Sequence, residues 1–587
     1  MTIMRARVLI RFGLITAIFG GLLAVAPLAE PWHLVKLAAL AAGGLLAWLG
    51  LWRVPLRSTP LDRPLAALWA VMLLSTAFSA ERPTAIFGAY PQPFYGLLPL
   101  GLCTALYYAV AMSGAEAPLD DVLDWLLVAS LPFTVYGVAQ RLGGDFILHA
   151  TLQYGRIIST IGSPVMLGAC LVPLVPLALH RALEKKGALA PVACGLIVLA
   201  LVMTWARGAW ISAAAAVALY LLLTGRARRK HVLALLLIAP VALFALQRAL
   251  KKEASDSMRV EMIRSAATIF RSSPWLGSGP DNFQNPFRRE KTDAYIRVTN
   301  GTFTAPLSAH DDLIQVLVTL GLLGLLAYAW LLWALATGPV SISACQDRRI
   351  AAIAAGLAGL FLQAKVNPIP ISALALAAAM TGLAARQGKP IKAAAGRAAA
   401  ALAAVFCAAS LALLARVIAA DAAFMDGQAL VSTKTLGNPA FMVGVNDVRR
   451  ATELNPWLLD YLSLRCAVIF RILPYVPPEQ GRQLIDKTLQ LTEDGVRRHP
   501  GSPTAHDLRA TALALSASRY GSGRMAEALA EIKTASEMDP TFTFTLRRRI
   551  EIARALGDKA EFDQATAQYR HVIALTHEPE QWTPLLQ

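Results

Sequence analysis

The chain has 587 residues, of which 56% are hydrophobic and only 16% charged. That balance excludes an ordinary water-soluble globular protein and a disordered one, and makes a bilayer the main solvent. The formal net charge is +17, but much of the Lys and Arg stands in short clusters between apolar runs with no aromatics interleaved, which argues against nucleic acid as a partner and for a topology signal.

A membrane-spanning helix needs about 20 mostly apolar residues, because no backbone polar group can go unpaired in hydrocarbon. In chain order such runs are predicted at 8–28, 33–52, 64–79, 94–113, 122–140, 162–180, 188–206, 209–224, 232–249, 313–335, 349–364, 368–385 and 398–418. This is an all-α, polytopic bundle of about 12 to 13 spans, with its tightest turns near residues 207 and 366. The first run ends in Ala24-Val25-Ala26, loosely like a signal-peptide cleavage site. Pro27 should hinder cleavage, so a retained first span is expected.

Loop charge orients the bundle, since Lys and Arg stay on the cytoplasmic side. Arg5, Arg7 and Arg11, then Arg53, Arg57 and Arg63, then Arg181, Lys185 and Lys186, then Arg226, Arg228, Arg229 and Lys230, then Arg348 and Arg349, then Lys389, Lys392 and Arg397 all fall on one side. Only the loop at Asp120 and Asp121 breaks the pattern, leaving open a misdrawn pair of spans. With the N-terminus inside, the long loop 250–312 and everything beyond the last span lie outside, in the periplasm if the membrane is a bacterial inner membrane. The six cysteines form no metal-ligand spacing and no obvious disulfide pair.

The chain thus divides into a membrane domain, 1–419, and a soluble segment, 420–587. In the second, Pro456, Pro500 and Pro540 each close a helical stretch, at intervals of roughly 40 residues that suit stacked helix pairs. The pattern resembles tetratricopeptide repeats in a degenerate form, and an irregular helical bundle is the alternative.

Three stretches of the membrane half stand out. In Thr204-Trp205-Ala206-Arg207-Gly208-Ala209-Trp210 an arginine sits between two apolar runs, where a charge is expensive unless it is paired or serves a function. In the long loop, Arg259 and Arg264 open an amphipathic helix leading to Ser273-Pro274-Trp275-Leu276-Gly277-Ser278-Gly279-Pro280-Asp281-Asn282-Phe283, with Arg288, Arg289 and Lys291 beyond. Such guanidinium groups can clamp phosphates through two parallel hydrogen bonds, and equally can be a solvated or lipid-headgroup-facing cluster. Finally, Ala309-His310-Asp311-Asp312-Leu313-Ile314-Gln315 stands where the loop re-enters the membrane. His310 is the only histidine of that loop, and its ordinary pKa suits proton transfer, with a neighbouring carboxylate able to hold the ring; a helix cap or an interface residue is the alternative reading.

Arg-Gly-Ala-Trp, then Pro-Trp-Leu-Gly-Ser-Gly-Pro-Asp-Asn-Phe, then His-Asp-Asp-Leu-Ile-Gln before Leu-Gly-Leu-Leu-Gly resembles, in this order, the O-antigen ligase and polymerase superfamily over most of residues 60 to 385. The resemblance implies transfer of a glycan from an undecaprenyl-pyrophosphate carrier to an acceptor hydroxyl on the periplasmic face, without a metal or other cofactor. It implies His310 as general base, and Arg207 with a loop arginine, Arg259 first and Arg288 next, on the pyrophosphate. Asp311 stands where Asn is frequent, and Thr319 where an acidic residue is frequent. The acceptor is lipid A core, a growing glycan or a protein side chain, and the C-terminal helices are expected to recruit a partner or acceptor. The rival reading, a transporter or flippase for lipid-linked glycans, predicts broken or charged helices at the midplane and two related halves.

Overall fold

The computed structural model describes residues 3–147, 155–184, 188–227, 253–301, 305–386 and 388–576. The expected span 232–249 lies outside these residues, as do Lys185, Lys186, Arg228, Arg229 and Lys230. Among the described residues the fold is all helical, with no strand beyond an isolated bridge between Arg57 and Pro390. The membrane half runs α1 (Ile3–Leu23), α2 (Leu34–Leu51), α3 (Asp62–Phe78), α4 (Arg82–Phe87), α5 (Leu97–Ser113), α6 (Leu119–Arg141), α7 (Pro164–Leu171), α8 (Leu174–Glu184), α9 (Leu189–Met203) and α10 (Arg207–Leu223). The long loop folds as α11 (Glu253–Ser272), α12 (Gln284–Arg289) and α13 (Asp293–Thr299), followed by α14 (Asp312–Thr337), α15 (Arg348–Ala364), α16 (Ile371–Ala384) and α17 (Ala393–Thr433).

Six of these, α1, α2, α5, α6, α14 and α17, are long and apolar enough to cross a membrane, and the bent pair α7 and α8 makes a seventh if it is one span. Three more apolar helices, α9, α10 and α16, are shorter, and the expected spans at 64–79 and 349–364 fall on α3 and α15. The chain is a multi-pass membrane protein. Between α1 and α2 the backbones nearly touch: a Cβ on Gly13 would lie 2.4 Å from the Ala47 amide nitrogen. Small residues at a helix crossing substitute close van der Waals packing for the hydrophobic drive that lipid does not supply.

The acidic loop that disturbed the charge pattern has a physical account. Asp120 accepts from Arg181 at 2.6 Å and from Arg349 at 2.8 Å, Asp121 pairs with Arg11 at 2.7 Å, and Glu184 pairs with Arg348 at 3.0 Å and also with Arg226. The acids share a face with the basic clusters and neutralise them, so the exception is a counter-charge and the spans need no redrawing there.

One long helix is broken. Inside α14, Gly321 has φ 68° and ψ −168°, and the freed groups bond to the Pro274–Gly279 turn. Ser278 N donates to Val318 O, Gly279 N to Thr319 O and Leu322 N to Pro274 O, at 2.8–3.0 Å. Only glycine fits the contact, because a Cβ on Gly321 would stand 2.3 Å from the Trp275 backbone, and one on Gly277 2.3 Å from that of Thr319. Ser75 of α3 seals the joint by donating to Leu276 O at 2.6 Å.

Beyond the membrane half, α17 runs 41 residues without interruption, about 60 Å of helix, roughly twice the hydrocarbon thickness. Among the described residues seven α-helices follow: α18 (Pro439–Leu454), α19 (Leu459–Ile472), α20 (Pro478–Arg498), α21 (Pro503–Tyr520), α22 (Met525–Met538), α23 (Thr543–Leu556) and α24 (Lys559–Ile573), each packed on its chain neighbour. Pro456, Pro500 and Pro540 stand two residues past the ends of α18, α20 and α22, as the proline spacing predicts. These helices dock on the face that carries the loop 253–311. Asp421 of α17 accepts from Glu30 N, Tyr90 OH and Tyr461 OH at 2.7–2.9 Å, Glu81 from Gly501 N at 3.0 Å, and Lys291 pairs with Asp539 at 3.0 Å with both side chains buried.

Candidate active site

Arg207 is the first residue of α10, where the unpaired backbone N–H groups of a helix start already carry partial positive charge. It makes no hydrogen bond or ion pair with any described residue. The turn that presents it is held from outside: Arg156 Nε donates to Thr204 O at 3.0 Å, Trp210 Nε1 to Leu201 O at 2.8 Å, and Trp205 takes a left-handed φ of 52°. A Cβ on Gly208 would stand 2.8 Å from Val366 and 3.3 Å from the Gln363 side-chain oxygen, so the start of α10 lies on the end of α15. There both polar atoms of the Gln363 amide are buried without a partner, which is unusual for a native interior.

That same end of α15 reaches the histidine segment. Lys365 pairs with Asp312, whose other oxygen accepts from Tyr328 OH at 2.7 Å. Asp311 caps α14, accepting from Leu313 N at 2.8 Å and Ile314 N at 3.1 Å. His310, just before, is half-buried with a left-handed φ of 57°, a conformation that costs a residue with a Cβ about 1 kcal/mol and concentrates at functional sites. The expectation that a carboxylate would hold its ring is corrected. Asp311 is committed to the helix start and Asp312 to Lys365 and Tyr328, and His310 has no hydrogen bond or ion pair among the described residues. Burial, and then the positive charge of Arg259 on α11, lower the His310 pKa to about 4. Such an imidazole is neutral throughout the physiological range, with a nitrogen free to accept a proton.

The four residues singled out in the sequence are therefore distributed over two places. Arg259 acts electrostatically on His310, and Arg207 starts α10, whose Gly208 packs on the end of α15 near Lys365, the partner of Asp312. Arg288 instead donates to Thr504 of α21 at 3.4 Å and lines a cavity of mixed polar and apolar walls under the C-terminal helices. A second cavity, of about 350 Å³, opens inside the bundle between α3, α5, α14, α15 and α16; its walls are almost wholly apolar and its polar end holds Asp312, Gln315 and Asp281. Asp281 lines both cavities. Its carboxylate accepts from Ala89 N and Phe94 N at 2.9 and 3.1 Å, and burial pushes its pKa up to about 7. Two groups escaped the sequence reading. Arg156 and Lys365 each lie in a short connection with no motif of its own, and only the folded chain brings them to Thr204 and Asp312.

Residues 192–329 match the family described as O-Antigen ligase. That segment is an O-antigen ligase domain. It contains Arg207, Arg259, Arg288 and His310, and it begins and ends well inside the stretch of 60 to 385 over which the resemblance was read. Through this segment the chain is similar to the O-antigen ligase family, which supports a membrane glycosyltransferase-like function with a lipid-linked glycan as the general substrate. No curated protein sequence matches the chain. The C-terminal helices lie beyond the matched domain.

Proposed function

We propose that the chain moves a glycan from an undecaprenyl-pyrophosphate carrier to a hydroxyl of a glycan, lipid or protein acceptor, at the periplasmic face of a bacterial inner membrane. One observation carries the reading: His310 is kept neutral by burial and by Arg259, while the carboxylates beside it are engaged elsewhere. In this reading His310 takes the proton of the acceptor hydroxyl as its oxygen attacks the anomeric carbon. The bond from that carbon to the pyrophosphate oxygen breaks, and the electron pair leaves with the pyrophosphate, whose charge Arg207 and Arg259 neutralise. Arg207 supports this role as a cation without an anionic partner at a helix start, the place where phosphate binds best. The apolar cavity with Asp312 and Gln315 at its end has the character needed for part of the polyprenyl chain. The C-terminal helices, read as a periplasmic repeat of tetratricopeptide type, offer a surface for a protein partner.

The test is His310→Ala in purified, membrane-inserted protein supplied with a lipid-linked glycan. Transfer should fall by about 10² to 10⁴-fold, the usual worth of a general base, with abundance and insertion unchanged. Full transfer by that variant would sink the assignment.

A further inference from the structure

Between the outer face of the membrane half and the C-terminal helices lies the cavity that Arg288 lines, about 430 Å³ in volume, within the range of small-ligand sites. Its walls come from both halves of the chain: Arg288 and Asn285 from the loop, Tyr90 from the α4–α5 connection, Asn455, Trp457 and Asp460 from the C-terminal side. Trp457 keeps 46% of its surface exposed and is nevertheless fixed. Its carbonyl accepts from His499 Nε2 at 3.1 Å, and its ring lies under the Arg498 guanidinium at 5.5 Å. His499 is in turn held by Glu81 through Nδ1 at 2.9 Å, so the backbone that carries the indole is anchored to the membrane half. Asp460 is exposed to the cavity, and its carboxylate has no hydrogen bond or ion pair from another side chain among the described residues. Enclosure raises its pKa, opposed first by a hydrogen bond from its own backbone N–H and then by the charges of Arg288 and His499.

An aromatic face, side-chain amides, and a carboxylate and guanidinium within one concave space suit a ligand with apolar C–H faces and many hydroxyls. The location fits as well. Leu307 lines this cavity and Asp312 lines the apolar one, so the segment bearing His310 runs from one chamber to the other. We propose that the cavity between Trp457, Asp460 and Arg288 is an oligosaccharide subsite, built jointly by the loop and the C-terminal helices. It rests on the glycan-transfer reading and adds to it where sugar, as distinct from lipid, is held. The sugar belongs either to the lipid-linked donor or to a glycan acceptor.

The full-length purified chain is titrated calorimetrically with two trisaccharides, one of plain hexoses and one N-acetylated, and the titration is repeated for Trp457→Ala and Asp460→Asn. Wild type is expected to bind at least one of them, and each variant to bind it at least about tenfold more weakly, the loss of one to two good contacts. Absence of binding by wild type, or binding by both variants as in wild type, overturns the subsite. This arm needs no turnover, so it still decides the question if the transfer reading itself fails. In the transfer assay, a KM raised by Trp457→Ala for the lipid-linked donor assigns the site to the donor glycan, and a KM raised for the acceptor assigns it to the acceptor. A fall in kcat with both KM values unchanged counts against the subsite.

Discussion

The arginines of the basic clusters and the two arginines singled out near His310 differ in their partners, although Lys365 and Lys291 near the latter do meet carboxylates. On the basic face, Arg11, Arg181, Arg226, Arg348 and Arg349 each meet a carboxylate. By contrast, Arg207 and Arg259 have no described anionic partner, and the acids beside His310 are engaged elsewhere. A paired arginine near a membrane helps to set topology and packing. An unpaired, half-buried one retains its charge for something that arrives.

That contrast can be broken most sharply at Arg207. Arg207→Lys keeps the charge but removes the fork that grips a phosphate through two bonds, so transfer should drop by about 10² to 10³-fold, read as kcat/KM for the lipid-linked donor. Wild-type rates would mean that a point charge suffices. A smaller effect is expected from Arg259→Gln, on the pH profile. The folded His310 pKa is lowered to about 4 from 6.5, so the imidazole stays a competent base as pH falls and is lost only near that value. With Arg259 neutralised, burial still depresses the pKa but the second cause is gone, and the acid limb of kcat/KM should move up toward 6.5 without reaching it. The linked stability has the same sign: full above pH 6.5 and lost as pH falls toward 4. A limb that stays in place would remove Arg259 from the site. The smallest change belongs to the paired face. Arg349→Gln costs at most about 1 kcal/mol, because its ion pairs are partly exposed, and should leave the transfer rate within about twofold. A thermal melt and the same transfer assay check both statements.

Much of the fold was legible because its signals are local. Runs of apolar residues gave the helices, and Pro456, Pro500 and Pro540 marked where α18, α20 and α22 stop. Arg207 and His310 stood out for a similar reason, as polar residues placed where apolar neighbours make them costly. What stayed hidden depends on distant partners. Nothing near Asp120 announces Arg181 and Arg349, and the apolar run through Gly321 conceals the break that the Pro274–Gly279 turn occupies. The partners of Asp311 and Asp312 were misjudged from adjacency alone. Sequence neighbours need not face each other, and here the first turn of α14 and the end of α15 claimed both acids.

The ion pair between Lys291 and Asp539 bears on the order of biosynthesis. The loop leaves the ribosome long before α22 and its following turn exist, so the ammonium spends that interval in water, with no reason to settle into a dry position. Asp539 supplies a carboxylate to that buried ammonium only once the C-terminal helices are made, and a buried ion pair that lacks one of its members is costly. Completion of the chain, more than insertion of its spans, is also the event that finishes the cavity lined by Asn455, Trp457 and Asp460. A nascent chain already threaded through the membrane would still lack one wall of it.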